Sequence, residues 1–151
     1  MAQKEIARLL HNQKQDIMTR WIAAVRNDSR IDSDDGLSTP ELIDHMPAIL
    51  EVICELLTNG EIPGVRNTHE ARASVYTRIL QGFKGRDVVR ELSLFRIIVL
   101  DVLMNSFVYP ATSIAAASRH EADLIINLYI DEAMRYAISA FIDQARLQSE
   151  T

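Results

Sequence analysis

The stretch that decides the fold is VVRELSLFRIIVLDVLMNSFV, residues 88–108. It is too long for a strand, and its apolar residues cover nearly every direction around a helix instead of one side. We therefore predict a long helix in the centre of the fold. Its apolar surface is interrupted by four charged residues, Arg90, Glu91, Arg96 and Asp101. Because an unpaired buried charge costs several kcal/mol, these side chains are expected to form ion pairs.

The N-terminal half of the chain predicts three helices. Apolar residues recur every three or four positions from about Glu5 to Asn27, which is typical of a long, one-sided helix. Ser38 and Glu41 have the spacing of a capping box, which starts a second helix. Because the ring of Pro47 interrupts a helical hydrogen-bond ladder, this second helix should be short and a third should follow it.

The residues before and after the central helix also contain helix start and stop signals. Asn67 and Glu70 have the capping spacing that opens a helix before the central one. Gly82 and Gly85 then interrupt this helix. Asp87 is a candidate cap for the central helix itself, and Pro110 should end it. The pattern favours a helix, a tight connection and then the long central helix.

The last predicted helix is the longest. Ser118 and Glu121 repeat the capping-box spacing, and no Gly or Pro follows them. At 1.5 Å per residue, about 30 residues extend about 45 Å, more than the roughly 38 Å diameter of a compact domain of this size. We expect this helix to contact both the core and a partner helix, through Leu124, Ile125, Leu128, Met134, Ile138 and Phe141.

No segment alternates apolar and polar residues as a half-buried strand does. The sequence therefore predicts an all-α fold, a helical bundle of about six to seven helices with long N- and C-terminal helices. The length of 151 residues is sufficient for one core, so a single helical domain over residues 1–151 is expected.

Composition excludes several classes of function. The net charge is −5 and no run of Lys or Arg occurs, which excludes a non-specific binder of nucleic acid or of an anionic membrane. No apolar stretch has the length of a signal peptide or a membrane span, so a cytoplasmic location without membrane contact is expected. The single cysteine, Cys54, lies in an apolar run and is interpreted as a small buried residue.

A polar cluster is the most informative candidate site. His69, Arg72 and Tyr76 are spaced to share one helical face, and the central helix carries the charges described above. The candidate ligand or signal-relay cluster is His69, Arg72, Tyr76, Arg90, Glu91 and Arg96. Two interpretations remain open: an internal ion-pair network that fixes helix register, and a polar pocket that binds a ligand or relays a signal.

The segments at residues 37–57 and 68–103 resemble a known family. The shared features are D-H-x-P at 44–47, H-x-x-R at 69–72 and R-E-L-x-x-x-R at 90–96. The chain is similar, from Trp21 to about Asp143, to the N-terminal domain of the RsbR and RsbRD regulators of the sigma-B stress pathway. This domain is also found in front of bacterial histidine kinases. The chain departs from the family near Tyr76, where members usually carry a glycine.

The resemblance implies a globin-like helical domain that lacks haem, acts as a sensory or protein-interaction module and is usually dimeric. The expected function is the input domain of a stressosome-type regulator or histidine kinase, transmitting a signal by helix repacking in a homodimer. Its partners would be an output domain or pathway proteins, with a small-molecule ligand left open. The alternative is a constitutive structural adaptor. Whether the chain is an excised domain or a stand-alone protein also stays open.

Chemical alternatives receive less support. Haem binding needs an axial histidine over an apolar pocket, yet His11, His45, His69 and His120 all lie in or beside charged segments. The His-Glu pairs that begin at His69 and His120 resemble phosphoacceptor boxes but lack the following proline.

One acidic run of the sequence faintly resembles a metal-binding loop. The acidic run at 32–36 lacks the glutamate that a calcium loop requires, and no catalytic motif occurs. We therefore expect no enzyme activity, no catalytic residues, no metal and no cofactor.

Overall fold

The computed structural model describes residues 2–106 and 116–150, with the backbone alone for residues 2, 65, 66 and 116. The described residues contain helices and no strand, which confirms the all-α prediction. A 3₁₀ turn at Val65–Thr68 accompanies seven α-helices: α1 (Ala2–Asn12), α2 (Lys14–Asn27), α3 (Thr39–Ile43), α4 (Met46–Asn59), α5 (His69–Leu80), α6 (Gly85–Asn105) and α7 (Ala116–Ser149).

The helices pack as a bundle around α6 and α7. These two helices lie along each other, α2 packs on α6, α5 packs on α7, and α1 lies along α4. The large aromatic residues Trp21, Phe95 and Tyr129 are completely buried between them. The indole Nε1 of Trp21 donates a 3.0 Å hydrogen bond to the carbonyl oxygen of Glu91, so α2 is attached to the middle of the bundle.

The long N-terminal helix expected between Glu5 and Asn27 is two helices. α1 ends at Asn12 and α2 begins at Lys14, with Gln13 between them at φ −93° and ψ 8°. The physical reason is the polar run at residues 11–16, which interrupts the apolar stripe. Because α1 packs on α4 and α2 packs on α6, a straight continuation would leave one of the two apolar faces in water.

The predicted start of α3 is confirmed in detail. The Ser38 hydroxyl accepts a hydrogen bond from the Glu41 amide, and the Glu41 carboxylate accepts one from the Ser38 amide. α3 ends at Ile43, and the next residue, Asp44, reverses the chain with a φ of 39°. α4 then begins with Pro47 in its first turn, where a missing amide hydrogen costs nothing.

The other predicted caps are wrong. The side chain of Asn67 accepts from the Gly64 amide inside the 3₁₀ turn and does not cap α5. Asp87 lies within the first turn of α6, which begins at Gly85, and its carboxylate is buried instead of capping the helix. Ser118 lies inside α7, because that helix already includes Ala116. Pro110, the predicted end of the central helix, lies outside the described residues.

The composition of the central helix predicts burial on every side, but the structure buries only one side of it. One side of α6 is buried, from Val88 to Leu103, whereas Ile97 and Met104 on the other side are 54% and 63% exposed. α7 spans 34 residues, or about 51 Å, and its last turns are mostly exposed. An open apolar surface therefore runs along the α6–α7 pair.

None of the helices in the described ranges is both long enough and apolar enough to cross a lipid bilayer.

Candidate signal-relay site

The centre of the candidate site is a buried ion pair between α5 and α6. Arg78 Nε lies 2.8 Å from Glu91 Oε1, and the two side chains are 0% and 2% exposed. At this depth water cannot screen the charges, so the pair must satisfy its own hydrogen-bonding groups. The guanidinium of Arg78 does so, whereas the carboxylate of Glu91 does not.

Arg78 also holds the end of α3. Its Nη1 donates to the Glu41 carbonyl oxygen at 3.2 Å, and its Nη2 donates to the Leu42 carbonyl oxygen. Carbonyls in the last turn of a helix have no helical partner, so they need outside donors. A further bond from Nη1 reaches Gln81 Oε1 at 2.7 Å, and the guanidinium lies over the Phe83 ring. One buried cation thus joins α3, α5 and α6.

The position of Arg78 follows from the periodicity of α5. Ala71, Ser74, Val75 and Arg78 form its buried face, and the small residues among them allow close approach to neighbouring helices. The cluster predicted from the sequence lies on the neighbouring face, with Arg72, and does not include Arg78. The available signal was an arginine in register with Ala71 and Val75, on a face without other charge.

The carboxyl group of Glu91 is incompletely satisfied. Its Oε2 atom is buried and has no hydrogen-bond partner among the described residues. Burial raises the pKa of Glu91 to about 7, the Arg78 guanidinium opposes that rise, and the charges of Asp34 and Asp87 add to it. Removal from water disfavours the ionised form of a carboxyl, which explains the direction of this shift.

Asp87 attaches the α2–α3 loop, residues 28–38, to the start of α6. Its Oδ2 accepts hydrogen bonds from the Ser33 hydroxyl and from the amides of Ser33, at 3.2 Å, and Asp32, at 3.4 Å. The Ser33 hydroxyl oxygen in turn accepts from the Lys84 amide. Three donors at one oxygen satisfy a negative charge, so the buried Asp87 is a fixed anchor for the loop.

The remaining charged residues of α6 form ion pairs, as the sequence predicts, and their partners lie in other elements of the fold. Arg90 Nε lies 2.7 Å from Asp28 Oδ2, and Arg96 Nη1 lies 2.8 Å from Asp131 Oδ1. The pKa of Asp28 is lowered, first by a hydrogen bond from a backbone amide and then by Arg90. Arg90, like Asp87, therefore attaches the α2–α3 loop to α6, whereas Arg96 connects α6 to α7. A separate bridge joins Arg20 of α2 to Asp101.

The structure does not bring the six predicted cluster residues together. Tyr76 is 61% exposed and His69 is exposed at the start of α5. Arg72 points toward α7, where its guanidinium lies 5.1 Å from the centre of the Tyr136 ring. The physical reason is that His69 and Tyr76 are exposed and Arg72 lies on the side of α5 that faces α7, whereas Glu91 faces Arg78 on another side of α5.

The D-H-x-P segment forms a second polar contact, at the corner between α3 and α4. His45 Nδ1 lies 3.3 Å from Glu70 Oε2, and its Nε2 lies 3.4 Å from Asp44 Oδ2. The imidazole thus connects the chain reversal at Asp44 to the start of α5. This placement gives the histidine of the motif a structural contact that its sequence alone does not reveal.

The residues predicted for partner contact divide into three groups by burial. Leu124 and Ile138 are exposed, Leu128, Met134 and Phe141 are partly buried, and Ile125 belongs to the core. Phe141 and Ile138 line an apolar groove of about 460 Å³ between α6 and α7. The other lining residues are Gly85, Arg86, Val89, Ile142 and Ala145. The outward residues can contact a partner, whereas Ile125 stabilises the monomer.

The site offers little to a metal or a nucleophile. Within residues 2–106 and 116–150, no group of three His, Cys, Asp or Glu side chains could hold a metal ion. His11 is exposed and pairs with Glu51. Burial raises the pKa of the Cys54 thiol to about 12, which keeps it protonated. The described polar contacts instead connect helices and loops to one another.

Comparison with known proteins identifies the family of this chain. No curated protein and no solved structure gives a significant match. The family model described as the RsbT co-antagonist protein rsbRD N-terminal domain matches residues 15–150. That family is one of regulatory domains in stress signalling, not of catalytic domains. Because the match covers nearly all of the described helices, the chain belongs to the RsbT co-antagonist protein rsbRD N-terminal domain family.

Proposed function

We propose that this chain is the dimeric input domain of a bacterial signalling protein, of the stressosome or histidine-kinase type. It relays a signal by changing how α6 and α7 pack, and an output domain or partner protein responds to that change. The observation that carries the proposal is the open apolar surface along these two helices, next to a buried charge network on the other side of α6.

The surface has the spacing of a helix-packing face. Ile97 and Met104 are two turns apart on α6, and Leu124 and Ile138 are four turns apart on α7, so each pair lies on one side of its helix. All four side chains are exposed. Exposed apolar side chains that recur on one side of two packed helices are typical of an interaction site.

A second copy of the chain is a natural partner for this surface. Two copies related by a two-fold axis would place α6 and α7 of each against the same helices of the other, forming a four-helix interface. The pair carries its own polar contact, since Arg96 and Asp131 bridge α6 and α7 near the middle of the surface. Such polar contacts within an apolar seam fix helix register.

The relay follows from the two sides of α6. Its inner side carries Asp87 and Glu91, which hold the α2–α3 loop and α5, and its outer side carries Val89 and Ile97. A small rotation or shift of α6 would change both sides together, because a helix moves as a rigid body. Helix shifts of about 1–2 Å at subunit interfaces are a common form of signal transmission.

The dimer is tested with Ile138→Glu, which places a charge on the exposed surface of α7. Ile138 is 52% exposed, so the monomer tolerates the change. We expect the wild type to sediment as a dimer and the variant as a monomer, with equal helix content by circular dichroism. The matched control is Ile62→Glu, in the exposed loop after α4, which should stay dimeric. A monomeric wild type, or a dimeric Ile138→Glu variant, contradicts the proposal.

A further inference from the structure

Three carboxyl side chains are buried where the α2–α3 loop meets α6. The side chains of Asp34, Asp87 and Glu91 are 4%, 0% and 2% exposed. Asp87 and Glu91 are one turn apart on the inner side of α6, and Asp34 comes from the loop. Aspartate and glutamate are rarely buried to this extent without partners, so the charges around them decide their state.

The surrounding charges do not balance all three. From α5, Arg78 pairs with Glu91, and from α2, Arg26 Nη1 lies 3.3 Å from Asp34 Oδ2. Arg86 lies 3.9 Å from Asp87, but its side chain is 73% exposed and screened by water. The α2 contact nearest to Glu91, from Trp21, is an uncharged donor. Two guanidinium groups thus face three buried carboxyls, which leaves one negative charge in excess.

The hydrogen bonds indicate which carboxyl takes up the excess. Three donors reach one oxygen of Asp87. Glu91 has a single side-chain donor, Arg78 Nε, and its Oε2 atom is buried with no hydrogen-bond partner among the described residues. Asp87 Oδ1 is likewise buried and unpartnered. A proton on Glu91 removes the excess charge and reduces the repulsion between the two carboxyls of α6.

We propose that Glu91 is a proton switch that controls the packing of the α2–α3 loop and α3 on α5 and α6. With the proton bound, the buried cluster is electrically neutral and the packing is tight. When the proton leaves, the excess charge strains the cluster. The contacts at its edge, Asp87 with the loop and Arg78 with the end of α3, then loosen. The proposal does not depend on the dimer.

The sign of the pH effect follows from the direction of the pKa shift. Burial, together with the charges of Asp34 and Asp87, raises the pKa of Glu91 from 4.5 to about 7, whereas the unfolded chain titrates at the ordinary value. The folded state therefore binds the proton more tightly. The stabilisation is complete below about pH 4.5 and is lost as the pH rises through about 7. For one proton, the unfolding equilibrium constant rises at most about tenfold per pH unit in this window.

The first test is a titration of the whole chain labelled with ¹³C at the glutamate carboxyl carbons, followed by NMR from pH 4 to 9. We expect one glutamate resonance with a midpoint near 7, and its absence from the spectrum of Glu91→Gln identifies it. If every glutamate titrates below pH 5.5, the proposal is overturned. The overturning result needs only the wild type, so the proposal can be refuted even where the variant does not fold.

The second test compares thermal unfolding across the same pH range. The wild type should lose stability between pH 6 and 8, whereas Glu91→Gln, which imitates the protonated carboxyl, should lose this component. The matched control is Glu55→Gln, at an exposed position of α4, which should keep the wild-type slope. Equal slopes for Glu91→Gln and the wild type overturn the switch.

Hydrogen exchange then locates the change. After correction for the intrinsic pH dependence of exchange, amides of residues 28–43 should exchange several-fold faster at pH 8 than at pH 6. Amides in the middle of α7 should be unchanged. A uniform acceleration over the whole chain overturns the local mechanism.

Discussion

Replacement of Arg78 by methionine should destabilise the domain more than any other change of a single charge. Methionine keeps the apolar stem but removes every donor of the guanidinium. The variant leaves Glu91 without its side-chain donor and removes the Arg78 bonds to the carbonyls of Glu41 and Leu42, of which Glu41 keeps only a 3.3 Å bond from Gln81 Nε2. All these groups lie between α3, α5 and α6, where little water can replace the arginine.

The magnitude follows from the depth of the pair. Removing one partner of a buried ion pair costs about 3–5 kcal/mol, against a total stability of about 5–15 kcal/mol for a domain. At about 2–4 °C per kcal/mol for a chain of this length, the melting temperature should fall by about 6–20 °C. The loss should be larger at pH 8 than at pH 6. Arg78 lowers the pKa of Glu91, so its removal raises this pKa further, and the variant continues to lose stability with rising pH after wild-type Glu91 has ionised near pH 7.

The assay is urea unfolding followed by helix ellipticity, at both pH values. The control is Arg96→Met, which removes an equally long cation whose partner Asp131 is 59% exposed and which should cost less than about 1 kcal/mol. The double variant Arg78→Met/Glu91→Met should recover part of the stability, since it removes both buried charges. If Arg78→Met and Arg96→Met unfold at the same urea concentration, the reasoning about the buried pair is refuted.

Two further predictions concern local features. Ser38→Ala removes the acceptor of the Glu41 amide at the start of α3 and should cost about 1 kcal/mol in urea unfolding, whereas Ser38→Thr should cost less; equal losses contradict the capping role. The Cys54 thiol, with its pKa raised to about 12 by burial, should react with Ellman's reagent only after unfolding; reaction of the native protein at the rate of a free cysteine contradicts this assignment.

Local chemistry explains which parts of the fold are predictable. The capping box at Ser38 and the break before Pro47 depend on residues within one helical turn, so the sequence predicts them correctly. The cap predicted at Ser118 fails because the spacing of two side chains is the same inside a helix as at its start. Only the backbone of the preceding residues distinguishes the two cases, and there α7 is already helical.

The site is less predictable than the fold. A charged residue in an apolar helix is expected to need an ion-pair partner, but the sequence does not show which residue that partner is. The charges on α6 require counter-charges, and the structure supplies them from distant parts of the chain, as with Arg20 and Asp101, which are 81 positions apart. Arg78 was missed for a related reason. Arg78 lies on the face of α5 that also carries Ala71 and Val75, which indicates burial, but arginine is usually exposed. Only the tertiary packing shows that this arginine is buried.

The apolar composition of α6 has a different meaning once its two sides are separated. A helix that is apolar all round indicates complete burial, yet Ile97 and Met104 face outward while Glu91 faces the core. A helix buried only for stability would place charge outside and leucine inside. Here the cost of a buried carboxyl and the cost of an exposed apolar surface fall on the same helix. Both costs are offset by groups outside α6. A proton or a cation offsets the cost of the buried carboxyl, and a protein surface covers the exposed apolar side chains. On the proposed function, this dual dependence is what couples the interior of the domain to its partner.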